Sequence, residues 1–141
     1  SDRSFWDILK LAEGPVVASH SNCRALCDVR RNLTDEQLRA IRDTGGVIGV
    51  NVYHGFVHAE PRMQTAAMLA RHAAHIAETI GPEHVACGFD FCEYFGPGNE
   101  GCEGMESCAQ TGNFFFELER LGFSAAERQG IASENLLRVL E

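Results

Sequence analysis

Basic residues are scarce in this chain, 12 lysines and arginines against 20 aspartates and glutamates, for a formal net charge of −8. That balance argues against a nucleic acid or an anionic membrane as partner. No apolar run approaches the roughly 20 residues that span a bilayer. No basic, then apolar, then small-residue leader opens the chain, which predicts a cytoplasmic location. No C-x-x-C pair is present, so zinc knuckles and thioredoxin-like sites are excluded. The six cysteines instead form Cys23-x3-Cys27, Cys87-x4-Cys92 and Cys102-x5-Cys108. With so much α/β periodicity a disulfide scaffold is not expected, and the thiols are expected mostly reduced. The pair that could join is Cys102 with Cys108, in a Gly-rich loop.

What is present is a set of short apolar runs that end on chemistry-bearing residues. The 141 residues, 45% of them hydrophobic, suit one globular domain, 1–141. Pro15-Val16-Val17-Ala18-Ser19-His20 is a strand expected to be buried on both faces. The second is Gly46–Tyr53, whose glycines predict close packing against a neighbouring element. The third is His84–Phe91. Ligands gather at the carboxyl ends of parallel strands. His20 therefore stands where a metal-binding or acid–base histidine would stand; a core histidine bonded to a carbonyl, or a turn cluster with Ser21 and Asn22, is the plainer alternative. Asp90, between two phenylalanines, is either a buried functional carboxylate or a turn aspartate. Burying it costs several kcal/mol unless a cation or hydrogen bonds compensate.

Helices fill the intervals. Ser4 and Asp7 look like a capping pair for a helix that Gly14 closes. Thr34 and Gln37 form a capping box, Leu38 and Ile41 supply the buried stripe, and Gly45-Gly46 stops the helix. A long helix is expected from Pro61 to Ile80. On it His72 and His75 share a face, either as packed or solvated histidines or as a metal pair. A zinc pair on a helix more often has the H-E-x-x-H spacing. Further helices are expected over 114–121, from the Ser124–Glu127 capping box, and over 133–140. His54–His58 and 96–104 are expected as loops, the latter without a phosphate-loop ending. Alternation of this kind predicts a parallel sheet with right-handed crossovers. Three strands fall short of a closed barrel, which takes about 250 residues.

The stretches PVVASHSNCRALCDVRRNLTDEQLRAIRDTGGVIGVNVY, HAAHIAETIGPEHVACGFDF and ENLLRVLE resemble the membrane dipeptidase (renal dipeptidase-like) family. The likeness covers nearly the whole chain and is weakest over 92–113. It implies an α/β fold: the C-terminal part, about three βα units, of an amidohydrolase-type (β/α)8 TIM barrel, carrying strands six to eight. It implies two zinc ions at the mouth of the complete barrel and hydrolysis of dipeptides, in some members with D-residues at the C-terminal position. His20 matches a histidine ligand of one zinc. Arg31 matches the arginine that grips the substrate's free carboxylate, a task its planar fork suits. Asp90 matches the aspartate that handles the proton of the metal-bridging water, and Tyr53 would line the pocket.

The chain departs from that pattern in places. Cys92 stands where D-F-D members have a second aspartate, and the H-x-D pair, the bridging glutamate and the other histidine ligand are absent. One histidine does not hold a zinc ion. The expectation is therefore a zinc metallo-dipeptidase, inactive as this piece alone and completed by a missing N-terminal half. The alternative is a non-catalytic half-barrel that self-associates as a homodimer or complements a partner chain. A third reading is a cysteine-based metal or redox module.

Overall fold

The computed structural model describes residues 2–141. Strands β1 (Val17–Ala18), β2 (Val47–Asn51) and β3 (Val85–Phe89) form one parallel sheet in the order β1-β2-β3. Helices α1 (Asp2–Leu11), α2 (Asp35–Asp43), α3 (His54–Val57), α4 (Ala66–Ile80), α5 (Thr111–Arg120), α6 (Ala125–Gln129) and α7 (Asn135–Leu140) surround it. The crossovers from β1 to β2 and from β2 to β3 run through α2 and α4, the βαβ arrangement of the expectation.

Every residue of β2 is buried, as befits a central strand flanked on both edges. Its Ile48 and Val50 join Leu38 and Ile41 of α2, Leu69, Ala73 and Ile76 of α4, and Phe114 and Leu118 of α5 in one core. Thr34 caps α2 through the expected reciprocal box with Gln37, and Gly45 takes the positive φ of 78° that ends it. Ser124 caps α6 in the same way. No described helix is long and apolar enough to cross a membrane.

Several boundaries differ from expectation, each for a local reason. β1 is only two residues long and its Val17 is 39% exposed, so this strand is not buried on both faces. It is an edge strand whose regular pairing ends at Ala18, with one further bond from the Ser21 N–H to the Gly49 carbonyl at 2.7 Å. Helix α1 starts at Asp2, which places Ser4 inside the helix rather than at its cap. Asp2 is held there by Arg24 Nη2 at 3.2 Å, an ion pair that draws its carboxyl below the ordinary range. The 61–80 helix is broken. A 3₁₀ turn, Pro61–Met63, precedes α4, and Thr65 caps α4 by accepting from the Met68 N–H. The expected loop 54–58 contains the short helix α3. The last two helices join through a π turn, Gly130–Glu134, and Asn135 there donates to the Pro82 and Val85 carbonyls at the start of β3.

His72 is a core histidine. Its Nδ1 accepts from the Cys23 N–H at 3.0 Å and its Nε2 faces the Val57 carbonyl at 2.8 Å. The first contact leaves Nδ1 without a proton, so Nε2 carries it and donates. His75 pairs instead with Asp35, 2.7 Å away. Burial lowers the His72 pKa from 6.5 to about 4. Between those values the unfolded chain binds a proton that the folded chain refuses. This stabilisation is whole above pH 6.5 and is lost as pH falls toward 4. Urea unfolding is expected to show about 2 kcal/mol less stability at pH 5 than at pH 7.5. A flat profile over that interval would mean that His72 is charged in the native state.

All six cysteines are free, with Cys102 buried and Cys108 exposed. Burial raises the thiol of Cys23 and pushes those of Cys87 and Cys102 up to about 12. Burial thus keeps these three as neutral thiols at neutral pH.

Candidate functional site

The site is built where the three strands end. Gly49 and Gly88 have no side chains, and this lets the Ser19–His20 backbone cross over the middle of β2 and the end of β3. A Cβ at either glycine would overlap the Ser19 carbonyl oxygen, and one at Gly88 would also come within 3.0 Å of the His20 Cα. The close packing expected from the glycines of the second strand is thus backbone against backbone. His20 is thereby carried from the edge strand to the tip of β3.

There it stands between the two other candidates. Arg31 Nη2 lies 3.0 Å from His20 Nε2, and Asp90 Oδ2 lies 4.0 Å from the same nitrogen. Arginine can only donate, so Nε2 accepts. The proton of the neutral ring is then on Nδ1, which donates to Ser19 Oγ at 2.7 Å. The guanidinium of Arg31 also sits 5.5 Å from the centre of the Phe56 ring, a cation–π contact that holds its far end. Of the two alternatives for His20, the core histidine bonded to a carbonyl does not apply: its ring meets a hydroxyl and a guanidinium and its side chain is 35% exposed.

Asp90 is not buried between its phenylalanines. Phe89 and Phe91 pack inward while the Asp90 side chain is 46% exposed. The reason is the backbone: Phe89 and Asp90 adopt φ of 30° and 63°. Left-handed geometry at non-glycine residues costs about 1–3 kcal/mol each and clusters at functional sites. Here it turns the carboxylate out of the sheet and toward His20.

Two asparagines, Asn22 of the turn cluster and Asn51, to which the sequence assigned no role, complete the arrangement. Asn51, the last residue of β2, donates from Nδ2 to Asp90 Oδ2 at 3.3 Å and accepts the Tyr53 N–H at 2.7 Å. Asn22 pairs with both backbone groups of Asn51, accepting its N–H and donating to its carbonyl, at 2.9 Å each. Its buried amide thus stands in for a strand partner where β1 has left the ladder. A polar residue at the tip of a wholly apolar strand, in the place His20 and Asp90 hold on theirs, was the available signal for Asn51.

Tyr53 is brought to the same rim but touches neither His20 nor Arg31 in any hydrogen bond. It packs on Phe56, ring centres 4.8 Å apart, and lines a pocket of about 280 Å³ with Phe56, Asp90, Cys92, Phe95 and Glu100. Cys92, at the position of the second aspartate in D-F-D, donates weakly from Sγ to Asp90 Oδ1 at 3.8 Å. The loop over this pocket is tied down where Gly101 bridges Tyr53 and the Cys102 N–H donates to the Val52 carbonyl.

The rim thus sets one imidazole nitrogen, one carboxylate and one guanidinium side by side. Two metal-ligating groups fall short of the three protein ligands of a catalytic zinc. Among the described residues no cluster of three or more histidine, cysteine, aspartate or glutamate side chains could hold a metal ion. The chain therefore does not by itself fit a zinc ion.

Comparison with known proteins places the chain in a family. The family described as Membrane dipeptidase (Peptidase family M19) matches residues 1–141. A Klebsiella pneumoniae protein, described as an uncharacterized protein in the pqqA 5′ region, is 47% identical over 94 residues, covering 64% of this chain and 35% of its own. Dipeptidase ataJ of Aspergillus terreus is 32% identical over 142 residues, covering all of this chain and 34% of its own. A metallo peptidase from Rhodobacter sphaeroides, solved with a phosphinate mimic of the dipeptide L-Ala-D-Ala, superposes with a TM-score of 0.86 at 28% identity, covering 99% of this chain and 39% of its own. The chain spans about a third of the length of these curated relatives.

Proposed function

Since the chain belongs to the membrane dipeptidase family, we propose that it carries the substrate-binding and proton-handling side of a zinc-dependent dipeptide hydrolase. In this reading His20 would be one ligand of a zinc ion that would supply an activated water, and the remaining ligands would come from outside the described residues. What supports it is the convergence of His20, Arg31 and Asp90 at the carboxyl ends of three parallel strands.

The chain's own residues divide the work. Ser19 keeps the His20 proton on Nδ1, so Nε2 presents a lone pair. Arg31 gives up that lone pair when substrate binds and takes the free carboxylate of the dipeptide in a bidentate grip. Asp90, oriented by Asn51, accepts a proton from the attacking water and returns it to the leaving amine. Tyr53 and Phe56 wall the space beside the reacting bond.

The test compares a dipeptide with its C-terminal amide on the zinc-loaded, full-length protein. The free carboxylate is expected to be hydrolysed well and the amide poorly. Arg31→Met is expected to cost about 2 kcal/mol, roughly 30-fold in kcat/KM, on the acid and little on the amide. Equal rates on both substrates in the parent protein would overturn the role of Arg31, and no hydrolysis of either would overturn the reading.

A second reading, a non-catalytic half-barrel that pairs with a copy of itself, is favoured by the outer edges of β1 and β3, which meet no further strand among the described residues. Ile8 and Leu11 of α1 are also exposed. It predicts a dimer on sizing chromatography and no zinc by elemental analysis.

A further inference from the structure

We infer that the pocket beside Asp90 is a subsite for a cationic side chain of the dipeptide, lysine or arginine, and that Glu100 sets this preference; the inference rests on the hydrolytic reading above. The pocket holds about 280 Å³. Tyr53, Phe56 and Phe95 give it aromatic walls, and Asp90 and Glu100 are the charged groups of its lining. Neither carboxylate has a lysine or arginine partner among the described residues. Arg31 sits against the Phe56 ring and is not part of the lining.

An apolar side chain would match the rings but would strip water from Glu100, whose Oε2 accepts the Gly98 N–H, and bring no opposite charge in return. A long aliphatic stem ending in a cation satisfies both surfaces. The stem lies along the rings, the cation gains from their faces, and the charge meets Glu100, which leaves Asp90 to its proton.

Glu100 is well placed to discriminate. It directly precedes the segment that Gly101 and Cys102 pin to Tyr53 and Val52. Its Oε2 accepts the Gly98 N–H at 2.7 Å, which fixes the carboxylate's direction. A glutamine there keeps an oxygen for that N–H and removes only the charge. Glu100→Gln therefore separates charge recognition from loop structure.

The experiment uses the zinc-loaded, full-length protein and arginyl-alanine against leucyl-alanine, followed by hydrolysis and by calorimetric binding. A preference of about tenfold in kcat/KM for the arginyl substrate is expected, from one ion pair and one cation–π contact. Glu100→Gln is expected to cut that preference about fivefold and to leave leucyl-alanine unchanged. Hydrolysis of both substrates at equal efficiency, or an equal loss on both in the variant, overturns the subsite and leaves the hydrolytic reading standing. Tighter, Glu100-dependent binding of arginyl-alanine without hydrolysis of either supports the subsite and overturns the hydrolytic reading. Failure to bind or hydrolyse either overturns both.

Discussion

Asp90→Asn is expected to lower kcat/KM for dipeptides by about 10²–10⁴-fold in the zinc-loaded, full-length protein while leaving the fold intact. The size follows from the role: the carboxylate is the group that takes and returns a proton, and an amide at neutral pH does neither. The clean separation from folding follows from the backbone. Asp90 has φ 63°, a region that asparagine tolerates better than other non-glycine residues. An asparagine can also turn its oxygen to the Asn51 Nδ2 that now donates to Asp90 at 3.3 Å. Thermal unfolding should therefore match the parent. Hydrolysis within a few-fold of the parent rate would mean that the proton moves through another group.

The same residue shows where sequence reading reached its limit. That a carboxylate ends the third strand follows from the apolar run before it, and the motif resemblance assigns it a task. That the chain turns left-handed at Phe89 and Asp90, exposing the carboxylate, does not follow from a run of F-D-F, which by composition looks like burial. The parallel strands and the capped starts of α2 and α6 were readable because they rest on local rules: apolar runs alternating with helices, a T-x-x-Q box, an S-x-x-E box. Four differences rest on tertiary contacts instead. β1 stops early because the backbone of Ser19 crosses to Gly49 and Gly88. α4 starts late because Thr65 bridges to Glu103, whose carbonyl accepts the Ala66 N–H. Asn22 is buried because Asn51 needs a partner where β1 is gone. His72 is spent on the Cys23 N–H and the Val57 carbonyl, contacts that helical spacing alone does not reveal.

Gly88→Ala should reveal how far the site depends on that crossing. Gly88 lies in β3, far in sequence from His20, and takes no part in any proton or ligand step. Its missing Cβ is nonetheless what allows the Ser19 carbonyl to lie over the strand. An added methyl meets backbone atoms, which cannot swing aside as the tip of a flexible side chain would. The Ser19–His20 segment must lift, at a cost of about 1–3 kcal/mol in stability by over-packing. His20 then loses its register with Asp90, now 4.0 Å away, and with Arg31, 3.0 Å away. A displacement on the order of 1 Å in such a constellation costs about a hundredfold in rate. Gly112→Ala is the matched control, because nothing stands within 4 Å of the Cβ it would add. If Gly88→Ala retains the parent kcat/KM, His20 is not held in place by the backbone crossing, and the reach of the imidazole must come from Arg31 and Ser19 alone.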